Sequence, residues 1–459
     1  MSDYQSFLAR KAIVDMPTGF DPGELNPMLF HFQKDVTKWA LRRGRAAIFE
    51  DCGLGKSFQQ IEWCYRVTEK TNKPTLIVCP LCVAEQFVSE GSKLGIEVTH
   101  LRHGGRVEKA GVYVINYERL HLIVAADFIG VSLDEAGILK NYSGKIRTQI
   151  IEIFARTPYK IGATATPSPN DYMELGNHAE FLGVMTRAEM LSMFFVHDGG
   201  DTSQWRLKGH AESEFWKWLC SWAVNIRKPS DLGYDDAGFN LPPLTEIEHI
   251  IETEETPMEG MLFALPANTL NERRQARRAS LGDRVQKVVD LVNSHDRPAV
   301  VWCNLNDESE ALAKAINGAV EVTGSQDEET KEAGLKSFCD GSKRAIVSKG
   351  SICGWGQNWQ HCADVYHCGL NDSQEEKYQK DRRCYRFGQK KPVTVHVVIS
   401  GPEIRVLENI KRKQVDADRM AVEMVRHMAA ISSVEIRGSK RDLTEYKPTK
   451  KIKLPAFLK

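Results

Sequence analysis

No charge of one sign dominates this 459-residue chain, in which 61 lysines and arginines face 61 aspartates and glutamates. A molecule-wide basic surface is therefore excluded, and any surface for a polyanion has to be local. Long apolar runs are missing too. No segment reaches the roughly 20 residues a bilayer span needs, and Met1-Ser2-Asp3-Tyr4 does not lead into a basic stretch followed by an apolar run. A soluble, cytoplasmic protein with no membrane partner is the expectation. The eleven cysteines are odd in number and lie scattered in apolar stretches such as Val301-Trp302-Cys303, which excludes a disulfide framework and points to reduced thiols. Cys79-Pro80-Leu81-Cys82 has the spacing of half a zinc site, but no second pair lies near, so an ordinary strand end is expected. With 42% hydrophobic and 27% charged residues, the composition is that of a folded globular chain long enough for two or three domains.

What is present is an alternation of short apolar runs with longer mixed segments. Ala46-Ala47-Ile48-Phe49, the run 75–79, Val112 to Ile115, Phe128 to Leu133 and Tyr159 to Gly162 suit strands buried on both faces of a parallel sheet. A second series follows: Ala299 to Trp302, Val320 to Val322, Arg344 to Val347, Val365 to His367 and Val393 to Ile399. The expected fold is α/β with two lobes, at 1–184 and 267–400. Between them, over 185–266, strand-like runs disappear and tryptophans 205, 216, 218 and 222 concentrate. A helical insertion and linker with core aromatics is expected there. Over 401–459 a helix with apolar residues at Val406, Ile410, Met420, Met424 and Met428 runs into a basic tail.

Three groups of residues carry chemistry. Asp51-Cys52-Gly53-Leu54-Gly55-Lys56-Ser57 lies between a strand and a helical pattern. Its glycines let backbone N–H groups face phosphates, Lys56 can reach the β- and γ-phosphates, and the Ser57 hydroxyl can hold Mg²⁺. Glu50 stands where the general phosphate-loop pattern has glycine. Some eighty residues on, Asp134-Glu135 ends an apolar strand, suited to complete a Mg²⁺ shell and to polarise an attacking water. In the second lobe Arg383 and Arg386, three apart, are expected on one helix face and able to address a phosphate chain together.

With these in order, the chain resembles superfamily-2 helicases, and among them the SNF2-like branch. Glu50 to Ser57 resembles motif I, Asp134-Glu135-Ala136-Gly137 with Leu139-Lys140-Asn141 motif II, and Gly162 to Pro167 with Asn170 and Glu174-Leu175 motif III. Ile77 to Gln86 is similar to motif Ia and Val114 to Glu118 to motif Ib. Val300 to Cys303 resembles motif IV, Gly354 to Gln360 motif V, and Gln379, Arg383, Arg386, Gly388 and Gln389 motif VI. Gly137 replaces the usual histidine, and Gln357 the usual leucine. The resemblance implies two RecA-like P-loop lobes, with ATP and Mg²⁺ as cofactors. It implies nucleotide contacts at Gln33, Gly53, Leu54, Gly55, Lys56, Ser57, Gly356 and Gln379, metal ligands Ser57 and Asp134, and catalytic roles for Glu135, Arg383 and Arg386. It further implies nucleic-acid contacts at Pro80, Gln86, Asn116, Tyr117, Lys140, Asn141, Lys349 and Gly350, with Arg273, Arg274, Arg277 and Arg278 as an extension or a solvated face. The compact size matches phage-encoded members, which would place it in host cytoplasm, with a monomer expected. A double-stranded DNA translocase is the leading expectation, and a strand-separating helicase or an ATP-gated clamp the alternatives.

Overall fold

In a computed structural model the described residues are 17–80, 83–140, 144–168, 171–198, 201–251, 278, 280–354 and 358–436. Helix α1 (His31–Arg43) leads into β1 (Arg45–Glu50), and α2 (Lys56–Thr71) follows after a five-residue loop. Then come β2 (Thr75–Cys79), α3 (Ala84–Leu94), β3 (Val98–His100), β4 (Val112–Asn116), β5 (Gly130–Asp134), α4 (Lys145–Ile153), β6 (Tyr159–Thr164) and α5 (Leu175–Leu182).

The strands that read as uninterrupted apolar runs are the ones buried on both faces. Along β1, Ala47 and Phe49 join the core on one side of the sheet, and Ala46 and Ile48 the core on the other. That two-faced burial is what a parallel sheet with helices above and below requires.

The stretch 185–266 supplies the expected helices, α6 (Arg187–Phe194) and α7 (Glu212–Cys220), and also strands that the sequence reading did not anticipate. An antiparallel pair, β7 (Phe195–Asp198) and β8 (Asp201–Leu207), stands apart, whereas β9 (Ala223–Ile226) pairs in parallel with β1. The first sheet thus has seven strands in the order β3-β4-β2-β5-β6-β1-β9, all parallel. β9 escapes detection because four residues are too few to show a period. Trp216, Trp218 and Trp222 are core, as expected. Trp218 and Trp222 meet edge to face at 5.2 Å.

β10 (Leu244–Ile251) opens the second lobe earlier than expected, since it pairs with β15 (Val393–Ser400). Between them lie α8 (Leu281–Asn293), β11 (Ala299–Cys303), α9 (Asn306–Ala315), β12 (Ala319–Val322), α10 (Glu328–Cys339), β13 (Ala345–Lys349), α11 (Gly350–Cys353), β14 (Asp364–Cys368) and α12 (Gln374–Asp381). This sheet is also parallel, ordered β10-β15-β14-β11-β13-β12. The expected class, α/β with two parallel-sheet lobes, is what the structure has.

A last helix, α13 (Ile404–Ile436), runs 33 residues, about 50 Å at the helical rise. Val406, Leu407 and Ile410 sit in the core of the second lobe, Met424 and Met428 in one core of the first, and Ile436 in the other. None of the described helices is long and apolar enough to cross a membrane. Arg273, Arg274 and Arg277, Asn141, Asn170, Gly356, Gln357, Cys82 and the basic tail lie outside the described residues.

Candidate nucleotide cleft between the lobes

Loops at the carboxyl ends of parallel strands gather where the strand order allows them to converge, and here β5, β6 and β1 are neighbours. The loop after β1 is shaped by Gly53 and Gly55, at φ +92° and +84°, values that only glycine adopts cheaply. Gly55 is the N-cap of α2, so Lys56 and Ser57 begin that helix. Backbone N–H groups and the positive end of the helix dipole therefore meet at this turn. A Cβ on Gly55 would fall 2.3 Å from Gln33 Nε2, and one on Gly53 2.7 Å from the Phe387 nitrogen. Glycine is thus needed twice over, for conformation and for close approach.

Lys56 Nζ donates to the carbonyls of Glu50 (2.8 Å) and Asp51 (3.2 Å). Gln33, buried in the first turns of α1, donates from Nε2 to the Leu54 carbonyl at 2.7 Å, and its Oε1 accepts from the Phe30 nitrogen at 2.9 Å. Leu54, expected as a nucleotide contact, is core and does not line the cleft, its carbonyl being taken by Gln33. Beside Gln33 the rings of Phe30, Phe239 and Phe387 cluster, with centroids 4.7 to 6.0 Å apart. Together they offer apolar faces from both lobes and the linker.

At the end of β5, Asp134 Oδ1 accepts from Gln60 Nε2 at 2.9 Å, and Ser132 Oγ donates to Gln60 Oε1 at 2.8 Å. Burial, and next to it the Glu135 charge, push the Asp134 carboxyl up to about 7. Glu135 has φ +51°, the left-handed region. Such a conformation in a non-glycine residue costs on the order of 1–3 kcal/mol and concentrates at functional sites. Its Oε2 is buried with no hydrogen-bond partner.

From the second lobe, Arg383 and Arg386 line the same cleft as Cys52, Gly53, Gly55, Lys56, Ser57, Val83, Gln86, Asp134 and Glu135. They do not share a helix face as expected, because α12 stops at Asp381. The Cys384 carbonyl is taken by Gln389 Nε2 (3.2 Å) and the Arg386 nitrogen (3.2 Å), which folds the segment into turns. Arg383 Nε and Nη2 each donate at 2.8 Å to Gln379, to its carbonyl and Oε1 respectively. Gln379 is fully buried and is absent from the cleft lining. Expected as a nucleotide contact, it instead orients Arg383. Burial and the adjoining Arg383 charge push Arg386 down to about 10. Crowded, desolvated cations over a backbone N–H nest, with carboxylates alongside, are suited to a phosphate chain and a hard cation.

A Mg²⁺ ion fits this set. Ser57 and Asp134 offer oxygen ligands, and an ion that keeps waters and phosphate oxygens needs few from the protein. No cluster of three or more His, Cys, Asp or Glu side chains that could hold a metal exists among the described residues.

The sequence reading missed the clasp beside the cleft. Asp51 accepts from the Tyr378 hydroxyl and pairs with Arg382 Nη2 at 3.2 Å. Burial works against the charge, yet Arg382 and Tyr378 hold the Asp51 carboxyl below the usual carboxylate range. The acidic side chain directly before the glycine loop was the available signal.

Glu50 is 1% exposed. Its Oε2 accepts from Gln59 Nε2 at 2.7 Å, while Oε1 has no partner. Burial drives this carboxyl up to about 7 against the pull of Lys56. A raised carboxyl stabilises the fold fully only below its unfolded value near 4.5, and that contribution is lost as pH rises through 7. Glu50→Gln keeps the Gln59 bond and removes the titration. We therefore expect a higher melting temperature at pH 8, by the equivalent of about 3 kcal/mol at most, with little change at pH 4.5. Thermal melts of the nucleotide-free protein from pH 4.5 to 8.5 check this, and equal slopes for both proteins would refute it.

The residues expected on a nucleic-acid path divide. Tyr117, 8% exposed, faces inward, whereas Asn116, though only 2% exposed, lines a groove between the lobes. Asn116 Nδ2 donates to the Pro80 carbonyl at 3.1 Å, and the Tyr117 hydroxyl donates to the Asp134 carbonyl at 2.7 Å. They brace the strand ends, a role that adequate polar partners inside the lobe make available. Gly350 is buried beneath Lys380 and Glu376. Lys349 donates to Asn306 Oδ1, and Lys140 pairs with Glu375. Gln86 lines both the cleft and an interlobe groove shared with Lys93, Lys331 and Lys336. Arg102 spans that groove, reaching Glu85 at 2.9 Å and Glu332 at 3.1 Å.

The architecture is that of a two-lobed α/β protein with two parallel sheets and a glycine loop in the cleft between the lobes. Among solved structures, the Sulfolobus solfataricus SWI2/SNF2 ATPase core in complex with dsDNA matches 91% of this chain and 98% of its own at 18% identity and a TM-score of 0.41. No protein-family model and no curated protein matches the chain.

Proposed function

We propose that the protein is an ATP-hydrolysing motor that tracks along double-stranded DNA. One observation carries this reading. Lys56, Asp134 and Glu135 from the first lobe and Arg383 and Arg386 from the second line a single cleft. Lys56 and the N–H nest at Gly53 to Ser57 bind the triphosphate, and the Phe30, Phe239 and Phe387 rings flank the base. Ser57 and Asp134 hold Mg²⁺, which when bound neutralises phosphate charge. Glu135, bent into the left-handed region with an unsatisfied oxygen, takes the proton of the attacking water. Arg383 and Arg386 counter the charge that develops on the transferred phosphoryl group. Because the arginines come from the opposite lobe, hydrolysis requires closure, and the return stroke follows product release.

The interlobe groove, where Lys93, Lys331 and Lys336 stand among Glu85, Glu90 and Glu332, is the place for a phosphate backbone held through the lysines. With no net charge on the chain, binding is modest and falls steeply with salt. ATPase rates with duplex DNA, single-stranded DNA and RNA test the proposal. Duplex DNA is expected to stimulate most, by about tenfold or more, and to displace a triplex strand without unwinding a forked duplex. Equal or absent stimulation by all three would reject the motor.

A further inference from the structure

The most unusual feature at the lobe interface is a carboxylate that fills the place of a missing side chain. Gly137, three residues beyond Asp134, is buried without a side chain of its own. A Cβ there would lie 3.3 Å from Glu375 Oε1, 3.4 Å from Thr164 Oγ1 and 3.4 Å from the Thr166 carbonyl. Glu375 belongs to the opposite lobe, in the first turn of α12, and is only 6% exposed. One of its oxygens pairs with Lys140. The other accepts from Thr166 Oγ1 at 3.0 Å. A single carboxylate therefore ties together the turn after β5 and the turn after β6. Four residues along the same helix, Gln379 grips Arg383 through two hydrogen bonds.

We infer that Glu375 is a positioning residue that sets α12, and through Gln379 the Arg383 guanidinium, against the Asp134-Glu135 turn when the lobes close. The inference rests on the ATPase reading of the cleft and deepens it. Glu375 touches neither the cleft nor its contents; it acts by registering one lobe on the other. A buried carboxylate with two partners favours one arrangement, because shifting the helix by half a turn leaves Glu375 buried without its Lys140 and Thr166 partners. Opening the cleft breaks the ion pair and the Thr166 bond together, so Arg383 leaves with α12.

The test uses the full chain. ATP turnover is measured for wild type, Glu375→Gln, Glu375→Ala, Lys140→Glu, Glu375→Lys and the charge-swapped double variant, each with a thermal melt. Glu375→Ala and Glu375→Gln are expected to lower kcat on the order of tenfold, while KM for ATP shifts less than about twofold. The swapped pair is expected to recover to within about threefold of wild type. An unchanged kcat in Glu375→Ala, or a double variant no better than the worse single one, would overturn the inference. Should wild type lack turnover, the ATPase reading fails, and X-ray scattering then decides the registration itself. Lys140→Glu alone is expected to enlarge the radius of gyration and the swapped pair to restore it. An unchanged radius counts against Glu375.

Discussion

Arg386→Ala is expected to reduce kcat by about 10³- to 10⁵-fold, the range for an arginine that stabilises a transferring phosphoryl group. Its guanidinium lies in the cleft beside Arg383, desolvated and pressed by a like charge toward a lower pKa of about 10. A group held at that disadvantage in the empty cleft gains most when negative charge builds up next to it. The loss should therefore fall on turnover rather than on ATP affinity, which Lys56 and the glycine loop govern. Titration with a fluorescent ATP analogue separates the two. A variant that binds within a few-fold of wild type and does not turn over is the expected result, whereas unimpaired turnover would remove Arg386 from the mechanism.

Lys56→Ala is expected to remove hydrolysis by a different route, with at least a hundredfold loss of turnover and a matching loss of nucleotide affinity. Duplex binding should be largely intact, since the interlobe groove lies elsewhere. Lys56 also supplies the positive charge that partly offsets the burial of Glu50. Without it the Glu50 carboxyl rises further, so the variant should lose stability as pH increases from 6 to 8. The double variant with Glu50→Gln keeps the fold intact at pH 8 and isolates the catalytic loss. Wild-type turnover in Lys56→Ala would end the phosphate-loop reading.

Much of this was legible in the amino-acid order, for definite reasons. Uninterrupted apolar runs marked β1, β2, β5 and β11, because strands buried on both faces have no room for polar alternation. The Gly53 to Ser57 loop and Asp134-Glu135 stood out because both glycine conformation and paired carboxylates leave compositional traces. β9 and β10 did not. The first is four residues long, and the second mixes Glu246 and Glu248 with Ile247 and Ile250 as an edge strand can. The inward turn of Tyr117 was hidden because polar side chains look alike in sequence whether they face a ligand or a neighbouring carbonyl. Gln379 and Glu375 were the hardest to assign. One orients an arginine instead of meeting a ligand, and the other bridges lobes to Lys140 and Thr166, a relation with no fixed sequence spacing.

Helix α13 bounds how far such a device can travel. It is anchored in both bodies, with Leu407 and Ile410 at one end and Met424, Met428 and Ile436 at the other. Midway, Gln374 Nε2 donates to Gln414 Oε1, and Arg227 Nη2 pairs with Asp418 at 3.2 Å. Extracting one buried methionine costs about 2–5 kcal/mol, so swinging the halves wide apart would consume much of what one ATP delivers. What remains is a shallow rocking of the lobes about the rod. On the proposed motor reading, each cycle then moves a bound polymer only by a short increment, and long displacement has to come from repetition rather than reach.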